Sequence, residues 1–207
     1  MVSFHTCPGL APGAGKVGGM NVYVKELSQH LGALGIEVDI LTRQHRGQER
    51  DVVSLGDNVR IIHLNGGLPD IALEGLYPHV YRFAQDVCDY QKEEGIDYSL
   101  IHSHYWLSGV VAHKLRQWWD VPMIHMAHTL GDVKNRVALR EDEYEPKLRL
   151  DNEAQLTLWS DGMIASTESE RDDLYRISPK ANGNVAVIPP GVDLDVFHPY
   201  PQNPGRL

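Results

Sequence analysis

The chain has 207 residues, enough for one ordinary domain with a sizeable hydrophobic core. Its composition, 42% apolar and 23% charged, is typical of a globular protein. The net charge of −9, from 19 basic and 28 acidic residues, argues against broad nucleic-acid binding and against a polybasic membrane patch.

Two cysteines, Cys7 and Cys88, are too few for a disulfide scaffold, so we expect free thiols in a reducing compartment. The sequence shows neither a signal peptide nor an apolar run of about 18 residues. We therefore expect a cytoplasmic protein with no integral membrane segment and no nucleic-acid partner.

Hydrophobic patterning predicts strands and helices that alternate along the chain. The predicted strands cover residues 2–5, 36–42, 59–64, 100–104, 121–127, 163–166 and 185–188. The predicted helices cover residues 19–34, 76–94, 106–119, 147–160 and 168–177, and the polar stretch 43–57 is predicted to be a surface loop. This alternation predicts an α/β fold with a doubly wound, mostly parallel, Rossmann-like sheet.

In such a sheet, ligands bind beyond the carboxyl ends of the strands, where the connecting loops gather. Five polar or aromatic residues lie at or just past predicted strand ends: His5, His104, Tyr105, His128 and Thr129. We therefore expect these side chains to converge on one crevice.

A glycine-rich loop joins the first predicted strand to the first predicted helix. It ends on Gly18 and Gly19, where the free N–H groups of a helix N-terminus suit a phosphate. Residues 13–18 also match the dinucleotide fingerprint G-x-G-x-x-G, but the loop before them is long and Asp39 does not end a strand. A Walker A loop is excluded because Val17 stands where Ser or Thr is required. A dinucleotide site and a loop without a ligand remain the alternatives.

Eleven histidines raise the question of a metal site. His102 and His104 lie two apart on one predicted strand, and therefore on one face of it. Zinc sites usually need three or four ligands, and the sequence has no cluster with such spacing. We predict no metal site. His102 and His125 are expected to be hydrogen-bonded core residues, while His104 could serve either the core or the crevice.

Four segments carry more specific motifs: HTCPGLAPGAGKVGGMNVYVKELSQHLGALGIEVDILTR at 5–43, IHSHYWLSG at 101–109, HMAHTLGDVKN at 125–135 and VIPPGVDLDVFHP at 187–199. Together they resemble the retaining glycosyltransferases of family 4, which have the two-domain GT-B fold. The resemblance covers nearly the whole chain. It is specific for the family and much less specific for the substrate.

The resemblance implies a nucleotide-sugar co-substrate, such as UDP-glucose or UDP-N-acetylglucosamine, and no further cofactor. Gly18 and Gly19 would then face the donor diphosphate. In that family the histidine matching His128 lies against the donor sugar, so His128 is the implied catalytic residue. The leaving phosphate is thought to help deprotonate the acceptor in a front-face route, which leaves positioning and charge stabilisation to the protein.

The resemblance also implies an acceptor site, by comparison with members that act on an inositol phosphate. The matching residues are His5, Asn21, Tyr105, Thr129 and Arg149. Arginine suits a phosphate through its forked donors, although a solvated helix arginine is the alternative for Arg149. Leu73 replaces a phosphate-binding lysine of the family, and Lys16 replaces an acidic residue. Lys16 is therefore included as an acceptor-binding residue that could restore the positive charge, and a neutral acceptor stays open.

Finally, the resemblance implies how the chain is divided. Residues 1–198 match the acceptor-binding domain, residues 199–207 begin an interdomain linker or tail, and the C-terminal donor domain is absent. We expect a hexosyltransferase whose acceptor is a small polyol or sugar, phosphorylated or not, and which is inactive without the donor domain. A homodimer is left open. The alternative function is a standalone module that binds sugar phosphates or a protein without turnover.

Overall fold

The computed structural model describes residues 1–10, 18–44, 50–67, 71–179 and 184–199. Its strands are β1 (Val2–Ser3), β2 (Val38–Arg43), β3 (Asp51–Gly56), β4 (Val59–Leu64), β5 (Ile101–His104), β6 (Met123–Met126), β7 (Gly162–Ala165) and β8 (Val185–Val187). Its helices are α1 (Gly19–Ala33), α2 (Val80–Glu94), α3 (Trp106–Trp119), α4 (Gly131–Val137), α5 (Lys147–Trp159) and α6 (Glu168–Ile177). Short 3-10 turns lie at Leu73–Gly75, Tyr77–His79 and Glu141–Glu143.

The strands form one sheet in the order β3-β4-β2-β1-β5-β6-β7-β8. Every neighbouring pair is parallel except β3 and β4. The chain builds outward from β1 to one side through β2 and β4, and then crosses to β5 on the other side. The strand order therefore reverses between β1 and β5, which is where ligands bind in open α/β sheets. The predicted doubly wound, mostly parallel sheet is confirmed.

Apolar side chains cover both faces of the sheet because successive strand residues point to opposite sides. In β2, Leu41 packs into a core that includes Phe83 of α2 and Leu107 of α3. Its neighbour Ile40 packs into a second core with Val24 of α1. Helix α1 therefore lies on one face of the sheet, and α2 and α3 lie on the other.

Three details differ from the predicted elements. Strand β3 lies inside the stretch predicted as a loop, since it is an exposed antiparallel edge strand whose side chains give little burial pattern. Helix α2 begins at Val80, after two 3-10 turns, of which the second contains Pro78. Helix α4 was not predicted, because its seven residues are too few for a clear helical period.

Candidate active site at the carboxyl ends of β1, β5 and β6

Three neighbouring strands deliver the predicted crevice residues. His5 follows β1, Tyr105 follows β5 directly, and His128 and Thr129 follow β6. Because β1 pairs with β5 and β5 pairs with β6, these residues leave the same edge of the sheet side by side. That edge includes the point where the strand order reverses, so the structure brings the residues to the place expected for a ligand.

Two of these residues have strained backbones. Tyr105 has φ 75° and ψ 153°, a region that only glycine adopts comfortably, and His128 has φ 60°. Non-glycine residues in such conformations cost on the order of 1–3 kcal/mol and cluster at functional sites. The chain thus leaves both strands through an unfavourable conformation at the two positions where side chains meet the crevice.

Tyr105 is the centre of the predicted acceptor group. The His5 ring packs against it with 4.4 Å between ring centroids. The guanidinium carbon of Arg149 lies over the Tyr105 ring, 4.9 Å from the ring centroid. Arg149 in turn donates from Nη2 to both the carbonyl oxygen and Oγ1 of Thr129, each at 3.0 Å. Four predicted acceptor residues therefore form one continuous contact group.

Arg149 is buried, with a side chain only 1% exposed, so a solvated helix arginine is not what the structure shows. Its Nε donates to Glu153 at 2.6 Å, and its Nη1 lies 2.9 Å from Glu145. Glu153 also accepts a 2.8 Å hydrogen bond from the backbone N–H of Gly131. Burial raises the pKa of Glu153, and Arg149 opposes that effect. Glu153, Glu145 and Thr129 therefore all bind the guanidinium. These contacts hold it against the Tyr105 ring.

The two carboxylates around Arg149 differ in their surroundings. Glu153 is 3% exposed, whereas Glu145 is 18% exposed and also pairs with Lys134. The backbone N–H of Glu145 donates to Oδ1 of Asn135 at 2.7 Å, which ties this segment to α4. Glu153 is thus a fixed partner inside the fold, while Glu145 sits closer to solvent at the rim.

His128 is half-buried, and its Nε2 lies 3.0 Å from Nδ1 of the buried His104. The Tyr23 ring meets the His128 ring edge-on at 5.2 Å. Burial lowers the pKa of His128 to about 4 and that of His104 well below its ordinary value. Both rings are therefore neutral near pH 7, so His128 brings a neutral polar ring to the crevice rather than a charge.

Gly18 and Gly19 lie at the N-terminus of α1, as predicted. Gly18 is the N-cap without a side-chain cap, and the first turn carries no acidic residue. A methyl group added at either glycine would meet nothing within 4 Å among the described residues. Tyr23, one turn later on α1, contacts His128. Among the described residues the helix N-terminus is thus uncrowded, and it lies one turn of α1 from the contact with His128. A free helix N-terminus suits an anion.

One predicted acceptor residue, Asn21, stands apart from the Tyr105 group. Asn21 is 2% exposed, and its Nδ2 donates to Thr6 Oγ1 and to the carbonyl oxygen of Cys7, each at 2.9 Å. That amide group therefore holds the segment after β1 against α1. Lys16 lies outside the described residues. Leu73, at the position of the family's lysine, packs half-buried against the apolar core.

Neither a metal site nor a dinucleotide site gains support. Among the described residues, no three His, Cys, Asp or Glu side chains are placed to hold a metal ion. Asp39 is the second residue of β2, far from its carboxyl end, and binds Arg60 through two 2.8 Å hydrogen bonds. His125 is buried and lies 2.8 Å from Ser103 Oγ, as predicted, but His102 Nε2 has no hydrogen-bond partner among the described residues.

Sequence reasoning missed four site residues: Tyr23, His104 as a partner of His128, Glu145 and Glu153. The spacing of Glu145, Arg149 and Glu153, four residues apart each time, is a signal for ion pairs on one side of a helix. Tyr23 follows Gly19 by four residues and so shares its face of α1. The rule on strand ends placed His104 and His128 in one crevice, but it gave no reason to pair their two rings.

Among the helices that the structure describes, none is long and apolar enough to cross a membrane.

Comparison with known proteins gives a consistent result. Residues 17–196 match the model of glycosyltransferase family 4. The chain is 40% identical over 209 residues to the D-inositol 3-phosphate glycosyltransferase of Streptomyces griseus, a match that covers all of the chain and 44% of the relative. It is 41% identical to D-inositol 3-phosphate glycosyltransferase 2 of Catenulispora acidiphila, with 100% of the chain and 49% of the relative covered.

Among solved structures, sucrose-phosphate synthase from Thermosynechococcus elongatus superimposes with a TM-score of 0.87 at 33% identity. That match covers 96% of this chain and 49% of the synthase. The chain thus spans about half the length of the proteins it matches. Since the family model covers most of the chain and the sheet agrees with it, the chain belongs to glycosyltransferase family 4.

Proposed function

We propose that this chain is the acceptor-binding half of a retaining glycosyltransferase. It would transfer a sugar from a nucleotide-sugar, such as UDP-glucose or UDP-N-acetylglucosamine, to a small phosphorylated polyol or sugar. The observation that carries the proposal is the contact group of His5, Tyr105, Thr129 and Arg149 at the strand-order reversal. In support, the names of the relatives from Streptomyces griseus and Thermosynechococcus elongatus both include a phosphorylated sugar or polyol.

Each part of the crevice has a role in this proposal. The donor diphosphate lies at the N-terminus of α1, where Gly18 and Gly19 leave room for close approach. His128 contacts the donor sugar as a neutral ring. The donor domain, supplied by further sequence, closes over this edge of the sheet. The residues of this chain then contribute orientation and charge stabilisation rather than a covalent nucleophile.

Arg149 would bind the acceptor phosphate through the guanidinium edge that Glu145 occupies in this structure. Glu145 is the more exposed of its two carboxylate partners, so a phosphate can replace it while Glu153 still holds the side chain. Arginine-phosphate pairs are charge-assisted and directional. Leu73 stands where the family pattern has a lysine, so we assign the phosphate recognition to Arg149 among the described residues, with Lys16 as the further candidate.

The chain matches only 44% of the Streptomyces griseus relative. The test therefore joins the chain to the part of that relative that it does not cover. Acceptors are offered in matched pairs: inositol phosphate with inositol, and fructose 6-phosphate with fructose. We expect transfer to one phosphorylated acceptor and none by the 207-residue chain alone. Robust transfer by the chain alone would refute the division into acceptor and donor halves.

The substitution Arg149→Lys keeps the positive charge beside Glu153 and removes the forked donors. We expect it to lower kcat/KM for the phosphorylated acceptor by roughly ten- to a hundredfold more than for its unphosphorylated counterpart. Arg116→Lys is the matched control, since Arg116 makes a two-bonded pair with Asp161 on the outer side of α3. If Arg149→Lys lowers kcat/KM equally for both acceptors, Arg149 does not bind an acceptor phosphate, and a neutral acceptor is favoured.

The joined protein also tests the alternative function, a module that binds sugar phosphates without turnover. Binding of sugar phosphates without turnover, even in the joined protein, would favour a standalone binding module. Two buried free cysteines, Cys7 and Cys88, support action in a reducing compartment such as the cytoplasm. A homodimer stays a prediction, to be tested by the molar mass in solution.

A further inference from the structure

His104 and His128 form a direct contact between neighbouring strand ends. His104 is the last residue of β5 and is 0% exposed. His128 follows β6, and its left-handed backbone accompanies a ring whose Nε2 lies 3.0 Å from His104 Nδ1. A left-handed backbone is uncommon outside glycine, although histidine tolerates it better than most residues. The contact engages Nε2, so Nδ1 is the remaining ring nitrogen of His128.

The contact restricts where the protons lie. Burial keeps both rings neutral near pH 7, and a neutral imidazole carries one N–H and one bare nitrogen. The 3.0 Å hydrogen bond therefore needs the proton on exactly one of the two facing nitrogens. If His104 Nδ1 carries it, His128 has its own proton on Nδ1. If His128 Nε2 carries it, His104 must hold its proton on Nε2.

The two arrangements differ in what they bury. His104 Nε2 is buried with no hydrogen-bond partner among the described residues. The second arrangement places an N–H donor there without an acceptor, whereas the first places only a bare nitrogen there. Buried N–H groups without acceptors are rarer in proteins than acceptors that lack a donor. The first arrangement is therefore favoured.

We propose that His104 is a positioning residue that donates from Nδ1 to His128 Nε2 and so fixes His128 as the tautomer protonated on Nδ1. This inference rests on the proposed function for its consequence. The nitrogen that His128 offers to the crevice is a hydrogen-bond donor for a sugar or phosphate oxygen, and it is not a general base. Such a preorganised donor stabilises developing charge without taking a proton.

The test reads the tautomer directly in the 207-residue chain, labelled with ¹⁵N-histidine, by long-range ¹H–¹⁵N correlation spectra near pH 7.5. His128→Asn assigns the His128 signals. We expect a protonated Nδ1 and a bare Nε2 for His128. A proton on Nε2 in the unsubstituted chain would overturn the proposal, and this measurement needs no variant to fold.

Two substitutions of His104 then separate positioning from packing. His104→Leu fills the buried space without a donor, and we expect His128 to lose its single tautomer. His104→Asn offers an amide N–H near the former Nδ1 and should restore the Nδ1-protonated form. A tautomer that His104→Leu leaves unchanged would show that His104 does not set it.

His102→Asn is the matched control. His102 shares the strand and the face of His104, and its ring packs 4.2 Å from that of His104, but the contact with His128 is made by His104. The His128 tautomer should therefore stay unchanged in this variant. None of these spectra depends on turnover, so an inactive joined enzyme would refute the proposed function while the spectra alone decide the role of His104.

Discussion

The buried histidines should make the stability of the chain depend steeply on pH between about 6.5 and 4. Burial lowers the pKa of His128 from 6.5 to about 4, and that of His102 and His125 to about 3. The unfolded chain therefore binds protons in this range that the folded chain does not. Stability is complete above pH 6.5 and is lost as pH falls, because protonation favours the unfolded state.

The size of the effect follows from the pKa values. Between pH 8 and pH 5, a histidine whose pKa falls from 6.5 to about 4 contributes a loss of about 2 kcal/mol. His102, His125 and His128 together would account for roughly 6 kcal/mol, which is comparable with the whole stability of an ordinary domain. We therefore expect the chain to unfold cooperatively as the pH falls to about 5.

The assay is urea unfolding, followed by circular dichroism at several pH values from 8 to 5. His128→Asn removes one titrating ring, and asparagine tolerates the left-handed backbone at that position. The pH-dependent loss should shrink by about 2 kcal/mol in this variant. His30→Asn is the matched control, a histidine-to-asparagine substitution at an exposed position on the last turn of α1. Identical slopes for His128→Asn and the unsubstituted chain would refute this explanation.

Four further predictions concern the crevice and helix α1. Gly19→Val should keep the melting temperature, because an added Cβ meets no other described residue within 4 Å, but should abolish turnover in the joined enzyme by blocking the donor diphosphate. Gly32→Ala on the same helix should instead lower stability by about 1–3 kcal/mol in urea unfolding, since its Cβ would clash with the Asp57 carbonyl oxygen. Asn21→Ala should cost about 1–3 kcal/mol in the same assay, through the lost bonds to Thr6 and Cys7. Glu145→Gln should tighten binding of a phosphorylated acceptor by roughly tenfold in kinetic assays, because it removes a competing charge.

Sequence periodicity predicted most of the fold because most elements bury one side. The boundaries of α3 and α6 agree with the prediction to the residue. Strand β3 was missed because an edge strand is stabilised by backbone pairing on one side, and both Val52 and Val53 remain more than 40% exposed. A pattern-based argument reads burial, so it cannot detect a strand that buries little.

The site was predictable in position but not in its internal contacts. The rule on strand ends placed His5, Tyr105, His128 and Thr129 together, and the structure agrees. The pairing of Arg149 with two carboxylates was not foreseen, although the four-residue spacing was present in the sequence. The arrangement of the His128 ring could not be derived from sequence, since it depends on a backbone conformation that the residue type alone does not require.

The distribution of backbone strain supports the same location for the site. Four described non-glycine residues have positive φ: Asn58, Tyr105, Asp120 and His128. Asn58 lies in the turn between β3 and β4, and Asp120 ends α3, which are positions where a left-handed residue is ordinary. Tyr105 and His128 have no such role, because each lies between a strand and the next helix, where an extended residue would suffice. Their strain is offset by contacts with His5, Arg149 and His104, so the fold maintains a costly backbone in order to hold these two rings at the crevice.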